Sequence, residues 1–130
     1  MSITPLYAGI LALWFLVLSI KVVGGRRGGN IYLGDGGDQH MQRLIRGHAN
    51  FAEYTPMILL LMALLELSSA IPGWSLHLIG LSLVAARVLH GYALSFSSQF
   101  VFGRVSGALT SFALLLVTGA LNIWAALFSA

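Results

Sequence analysis

The chain has 130 residues, of which 58% are hydrophobic and only 8% are charged. Soluble domains usually carry about a quarter of charged residues, so this chain lacks the polar surface of a water-soluble protein and lipid is its expected solvent. Its net charge of +3 comes without basic runs or interleaved aromatic residues, and the absence of cysteine excludes disulfides, thiolate metal sites and a cysteine nucleophile. We expect no nucleic-acid partner and a single domain spanning residues 1–130.

Four apolar segments are long enough to cross the hydrocarbon core of a bilayer, which takes about 20 helical residues. The predicted helices cover Ile3–Val23, Gln39–Leu67, Trp74–Phe96 and Arg104–Phe128. No basic region precedes the first segment, so we interpret it as a retained span rather than a signal peptide. The short alternating segments typical of barrel strands are not seen. The predicted fold class is an all-α integral membrane protein with a four-helix transmembrane bundle.

The connections between the helices differ in composition. Gly24–Asp38 is rich in glycine and is expected to be a flexible, water-facing loop, with Asp38 as the N-cap of the second helix. The basic residues in or beside the first and third connections are Lys21, Arg26, Arg27, Arg43, Arg46 and Arg104. The second connection and both termini carry none, so the positive-inside rule places the first and third connections in the cytoplasm and both termini on the periplasmic side.

One face of the second helix carries a cation, an amide and a carboxylate. At 100° per residue, Arg46, Asn50 and Glu53 fall within roughly 60° of one another, and Arg43 lies one turn earlier. Arg46 and Glu53 are about 10 Å apart along the helix, close to the reach of an extended tripeptide. A simpler interpretation is a helix end that dips into water, where the arginines snorkel and Glu53 pairs with Arg46 or Arg87. Asn50 and Glu53 lie deeper than such an end requires, which favours a functional site.

Further charged residues are expected near the same end of the bundle. Arg87 and His90 lie one turn apart on the third helix, and Arg104 begins the fourth. Four arginines thus face one nearby acid, Glu53, so the site should attract an anionic ligand with carboxylates and one amine. No metal is expected, because the histidines have no obvious set of partner ligands. Glu66 and His77, at the other end, are interpreted as interfacial or structural.

Small and polar residues recur on one face of the fourth helix. They are Gly107, Ser111, Thr118 and Asn122. Such a stripe suits close helix packing in a membrane better than it suits catalysis.

The pattern Arg46-x-His48-x-Asn50-x-x-Glu53-Tyr54-x-Pro56 on the second helix resembles the signature of the MAPEG superfamily, the membrane-associated proteins in eicosanoid and glutathione metabolism. Arg87-Val-Leu-His90 and Arg104-Val-x-Gly107 resemble its bacterial branch. The resemblance implies a homotrimer in a bacterial inner membrane, with glutathione bound between neighbouring subunits near the cytoplasmic side.

The resemblance also implies roles for individual residues. Arg46 would hold a glutathione carboxylate, Asn50 the peptide and Glu53 the amino group. Arg104 resembles the arginine that stabilises the thiolate and is the predicted catalytic residue. The predicted glutathione-binding set is Arg43, Arg46, His48, Asn50, Glu53, Tyr54, Arg87 and His90. The implied activity is that of a glutathione-dependent transferase or peroxidase acting on hydrophobic electrophiles or lipid hydroperoxides.

Two other functions stay open. Leu94 stands where several catalytic members of the superfamily have tyrosine, so the protein could be a non-catalytic lipid- or glutathione-binding member of the same fold. A small multidrug transporter also has four helices and a similar length. Such transporters need a membrane-embedded acid in their first helix, and none is present here.

Overall fold

The computed structural model describes residues 2–128. In that range the chain forms α1 (Ile3–Gly29), α2 (Gln39–Leu67), α3 (Gly73–Ser95) and α4 (Val101–Phe128), with no strand. Each helix is long and apolar enough to cross a membrane. The predicted all-α fold with four spanning helices is thus confirmed, whereas assembly into a trimer stays a prediction.

The bounds of α2 and its first turn follow the sequence prediction. The helix covers Gln39–Leu67, and the Asp38 side chain accepts hydrogen bonds from the backbone N–H groups of His40 (2.7 Å) and Met41 (3.0 Å). An N-cap aspartate satisfies amides that have no partner inside the helix. The start of α2, and hence the depth of every residue along it, is fixed by this cap.

The prediction for the end of α1 was wrong, because the helix continues to Gly29 through the glycines assigned to a flexible loop. The packing of α1 on α2 explains the difference. A Cβ atom at Gly25 would lie 2.5 Å from Leu44 Cδ1 and 3.1 Å from Met41 Sδ, so the glycine lets these two side chains pack directly against the backbone of α1. Asn30 then ends the helix in a left-handed conformation (φ 51°). Tertiary packing and a C-cap outweigh the low helix propensity of glycine here.

The predicted bounds of α3 and α4 also differ from those observed. α3 is displaced by one residue at each end, and α4 begins at Val101, three residues before the predicted start. Gly103, assigned to the loop, is buried against α3, where the Leu89 carbonyl oxygen lies 3.0 Å from the position of a Cβ atom. This contact holds the extra helical turn, whose two apolar side chains, Val101 and Phe102, are exposed. Arg104 therefore lies at the end of the first turn of α4.

The helices pack around a central pair. α2 and α3 each contact all three other helices, whereas α1 and α4 each contact only α2 and α3 within residues 2–128. The core is formed by buried side chains from every helix: Tyr7, Leu11, Leu18, Phe51, Ile58, Met62, Ile79, Leu83 and Leu114. Large apolar side chains also cover the outside, such as Leu13 (69% exposed) and Leu116 (74% exposed). Such an exterior is suited to lipid rather than water.

The bundle has two ends. The arginine end comprises the last turns of α1 and α3 with the first turns of α2 and α4; the Glu66 end comprises the opposite turns. At the Glu66 end, the carboxylate of Glu66 accepts hydrogen bonds from the backbone N–H groups of Ser2 (2.5 Å), Ile3 (2.8 Å) and Thr4 (2.8 Å). Tyr7 Oη lies 2.8 Å from His77 Nδ1. Both Glu66 and His77 therefore make structural contacts, in agreement with their interpretation from the sequence.

Candidate functional site

The predicted charged stripe of α2 contains an ion pair on the surface of the bundle. Arg46 Nη1 lies 3.4 Å from Glu53 Oε1, and Nη2 lies 3.5 Å from Oε2. The two side chains are 55% and 48% exposed. The simpler interpretation of the sequence paired Glu53 with Arg46 or Arg87, and in the structure the partner of Glu53 is Arg46. The pair leaves much of both charged groups available to another molecule.

Arg87 joins three helices at the arginine end. Its side chain extends from α3, donates from Nη1 to Asn50 Oδ1 on α2 (2.9 Å) and from Nη2 to the Gly107 carbonyl oxygen on α4 (2.9 Å). The residue is only 2% exposed. Within residues 2–128 its Nε has no hydrogen-bond partner and its guanidinium group has no carboxylate partner. Burial of a charged group without an opposite charge costs free energy, and the hydrogen bonds of Arg87 offset part of that cost and hold the side chain in place.

The surroundings of Arg87 carry two contacts that sequence reasoning missed. Trp14 Nε1 on α1 donates to the Arg87 carbonyl oxygen at 3.1 Å, and Ser111 Oγ donates to the Gly107 carbonyl oxygen at 2.8 Å. A tryptophan in an apolar helix gives no signal for such a role, and a backbone carbonyl gives none in any sequence. Ser111 belongs to the stripe of α4 predicted to serve packing, and it is fully buried.

His90 and Arg104 lie beside this network. His90 is 5% exposed, and the positive charges of Arg87, Arg104 and Arg46 all act on its ring. Gly107 allows the close approach of α3 and α4, because a Cβ atom there would lie 2.5 Å from the Ala86 carbonyl oxygen and 2.7 Å from His90 Cβ. Arg104, one turn earlier on α4, is exposed. Arginines from α2, α3 and α4 thus act on one histidine.

Three residues of the predicted binding set contact other parts of the bundle. Arg43 Nη2 donates to the carbonyl oxygens of Ala93 (2.7 Å) and Ser97 (2.9 Å) at the end of α3. The His48 ring stacks on Phe15 of α1 at 4.6 Å, and the Tyr54 ring packs on Phe112 of α4 at 5.5 Å. The structure therefore gives Arg43 and His48 structural partners on α3 and α1, away from the Arg46–Glu53 pair. Their binding roles stay predictions that this geometry does not favour.

A cleft that the sequence did not indicate lies between the last turns of α1 and the start of α2. Its volume is about 550 Å³, and its lining includes Lys21, Gly24, Gly28, Asp38 and His40. It is separate from the Arg46–Glu53 pair. The candidate site is consequently on the surface of the bundle and not in this cleft.

The arrangement of charges favours one kind of ligand. The exposed carboxylate of Glu53 is paired with the exposed guanidinium group of Arg46, and Arg104 near the start of α4 is a second exposed arginine. Guanidinium groups bind carboxylates through paired hydrogen bonds, and a carboxylate binds an ammonium group. A small zwitterion with more acid than amine fits this set.

Comparison with known proteins agrees with the fold. The family model of the MAPEG family matches residues 4–124. Two relatives from two strains of Escherichia coli, both named inner membrane protein YecN, are each 34% identical over 122 residues, covering 94% of this chain and 91% of the relative. No solved structure matches the chain.

Proposed function

The chain belongs to the MAPEG family, and on this premise we propose that it is a membrane-bound, glutathione-dependent transferase or peroxidase. Its second substrate would be a hydrophobic electrophile or a lipid hydroperoxide that arrives from the bilayer. The observation that carries the proposal is the exposed Arg46–Glu53 ion pair on a helix of an otherwise apolar bundle.

The exposure of this pair needs an explanation in a membrane protein. Charged side chains within a membrane segment are costly to expose to lipid and normally face a partner or a water-filled space. The contact between Arg46 and Glu53 is 3.4 Å long, which is longer than a strong charge-assisted hydrogen bond. We infer that a neighbouring subunit and a ligand together cover the pair, which supports the proposed homotrimer.

The charge balance of the site matches glutathione. The tripeptide carries two carboxylates and one ammonium group. The backbones of Arg46 and Glu53 are about 10 Å apart along α2, and their charged groups, which lie 3.4 Å from each other, would separate to bind the two ends of the ligand. Arg46 would bind a carboxylate and Glu53 the ammonium group. The exposed Arg104 remains for the thiol of the ligand.

Arg104 supplies the chemistry in this proposal. A thiol ordinarily titrates near 8.5, and a nearby cation favours its thiolate, which is the nucleophile. With a transferase substrate, the thiolate sulfur forms a bond to an electrophilic carbon, and a leaving group departs with the bonding electrons. With a hydroperoxide, the sulfur attacks the terminal oxygen and releases the alcohol, and a second glutathione completes the disulfide and yields water.

We also propose where the protein resides. The E. coli relatives are named inner membrane proteins, so we place this chain in a bacterial inner membrane. The basic connections would face the cytoplasm and both termini the periplasm. The candidate site would then be open to cytoplasmic glutathione at the arginine end and to hydrophobic substrates from the bilayer.

Titration of the purified protein with glutathione tests the proposal. The expected result is saturable binding together with the ultraviolet absorbance of a thiolate at neutral pH. Arg104→Ala should abolish the thiolate signal while retaining binding, because its side chain faces the sulfur in the proposed complex. Arg27→Ala is the matched control, since Arg27 is an exposed arginine of α1 outside the candidate site. Absence of glutathione binding by the unmodified protein would overturn the proposal.

A non-catalytic binding member of the same family is the second candidate, favoured by one observation. Leu94 is half-buried, and its Cβ lies 3.2 Å from where a Cβ atom at Gly47 would be. An apolar side chain thus fills the α2–α3 seam where several catalytic members carry a tyrosine hydroxyl. Glutathione binding without any thiolate signal would favour this candidate. Membership of the MAPEG family leaves the small multidrug transporter without support.

A further inference from the structure

Two asparagines within the helices use opposite ends of their side-chain amides. Asn122 on α4 donates from Nδ2 to the carbonyl oxygens of Leu61 (3.0 Å) and Thr118 (2.8 Å). Asn50 on α2 instead accepts from Arg87 through Oδ1 (2.9 Å). Among residues 2–128, no group accepts a hydrogen bond from Asn50 Nδ2. The side-chain NH₂ group therefore donates within the protein at Asn122, whereas at Asn50 it has no acceptor among these residues.

The orientation of the Asn50 amide follows from the chemistry of its partner. A guanidinium group has five N–H donors and no acceptor. The side-chain oxygen of Asn50 must therefore face Arg87, and its NH₂ group must face away. Asn50 is half-buried, so these two N–H groups remain within reach of a ligand beside the Arg46–Glu53 pair.

Arg87 is itself held rigidly and away from any ligand. The second terminal nitrogen of Arg87 donates to the Gly107 carbonyl oxygen, and Trp14 donates to the backbone carbonyl oxygen of Arg87. Arg87 is 2% exposed. A fixed donor of this kind cannot rotate to release Asn50. The amide of Asn50 thus lacks the freedom to flip that an isolated asparagine has.

We propose that Arg87 is a positioning residue that makes Asn50 a donor only, so that the site selects ligands with a carbonyl or carboxylate oxygen at this point of a peptide backbone. The inference rests on the proposed function, because it assigns the role of Asn50 and Arg87 in binding glutathione. The burial of Arg87 disfavours its direct contact with the ligand, so in this inference Arg87 acts on the ligand through Asn50.

A purely structural role is the alternative, since Arg87 joins α2, α3 and α4. Both roles predict that altering Arg87 destabilises the bundle. They differ in coupling: a positioning residue affects glutathione affinity only through Asn50, whereas a structural residue affects it independently. A double-mutant cycle separates the two.

The cycle compares Arg87→Met, Asn50→Ala and the double variant in detergent micelles, with glutathione affinity measured for each. Methionine has no N–H donor that could orient the Asn50 amide, whereas lysine would still donate to it. Each single variant should bind glutathione about five- to tenfold more weakly, as expected for a lost hydrogen bond of about 1 kcal/mol. The double variant should bind no more weakly than Asn50→Ala alone. Asn122→Ala is the matched control: its unfolding temperature should fall and its glutathione affinity should not change. Losses that multiply in the double variant, or an Arg87→Met variant that binds like the unmodified protein, would overturn the inference.

A second measurement covers the case in which Arg87→Met does not fold. The side-chain NH₂ signals of Asn50 can be identified by nuclear magnetic resonance through their loss in Asn50→Ala. Addition of glutathione to the unmodified protein should shift both the signals and their exchange with water, because an acceptor oxygen now binds them. Unmoved signals at saturating glutathione would overturn the inference while leaving the proposed function intact. If the unmodified protein binds no glutathione, both fall together.

Discussion

The two ends of the bundle handle their polar groups differently. At the Glu66 end, the one carboxylate is saturated by three backbone N–H groups of α1, and Tyr7 and His77 bind each other. At the arginine end, the guanidinium group of Arg87 is buried, whereas those of Arg46 and Arg104 are exposed. Polar groups at the first end serve the fold alone. The second end retains charges that the fold does not use, which is the arrangement expected of a functional site in a membrane protein.

The contrast also holds within the arginine end. Arg43 and Arg87 are joined to backbone carbonyls of neighbouring helices, so they help to assemble the bundle. Among residues 2–128, Arg46 has only the long contact to Glu53. The arginines at this end thus fall into two groups. Substitution of an arginine bound to backbone carbonyls should change stability, and substitution of an exposed arginine should change ligand binding.

The largest expected effect is on ligand binding at Arg46. Arg46→Ala should weaken glutathione binding roughly 10- to 100-fold, as expected for a lost hydrogen bond to a charged group. Its unfolding temperature should hardly change, because exposed ion pairs contribute little to stability. Calorimetric titration and thermal unfolding in the same detergent check both parts. A large loss of stability with unchanged affinity would reverse the comparison.

The next effect concerns stability along α4. Gly107→Ala should lower the free energy of unfolding by about 1–3 kcal/mol, because the new methyl group would press on the Ala86 carbonyl and separate α3 from α4. Gly119→Ala, on the same helix but with open space around the new Cβ atom, should raise it by about 0.5–1 kcal/mol. Unfolding by denaturing detergent measures both. Equal effects of the two variants would contradict the close α3–α4 approach.

A smaller effect is expected at the other end. Glu66→Gln retains the shape of the side chain but removes the charge at the start of α1, which should cost about 1 kcal/mol of stability through lost hydrogen bonds and helix-dipole interaction. Glutathione affinity should be unchanged. If it fell as far as in Arg46→Ala, the Glu66 end would also belong to the functional part of the molecule.

The smallest effect is expected for Arg43→Met, which retains the aliphatic part of the side chain. Loss of its contacts to the last turn of α3 should cost about 1 kcal/mol or less. Glutathione affinity should stay at the level of the unmodified protein. A tenfold drop would instead support the ligand-binding role that the family resemblance implied for Arg43, and would require a movement of its side chain on binding.

The sequence predicted the fold well where local signals are strong. The Asp38 cap and the long apolar run of α2 fixed the bounds of that helix, and the stripe of Arg46, Asn50 and Glu53 followed from helical periodicity alone. The end of α1 was missed because glycines argue against a helix locally. The packing of Leu44 and Met41 on Gly25, a tertiary contact, and the Asn30 C-cap both support the added helical turns.

The division of the arginines could not be predicted from the sequence. Arg87 and Arg43 bind the carbonyl oxygens of Gly107, Ala93 and Ser97. Every residue has a carbonyl group, so these acceptors leave no pattern in a sequence. Their availability depends on the exact register of one helix against another, which side-chain spacing does not define.

The lack of contact between α1 and α4 within residues 2–128 has a mechanical consequence. The two outer helices are linked only through the central pair, so a tilt of α4 would repack its seams with α2 and α3 and leave the Gly25 seam of α1 in place. A spectroscopic label on the outer face of α1 would therefore serve as a fixed reference. Displacement of the helix that carries Arg104 could be measured against it without disturbing either flank.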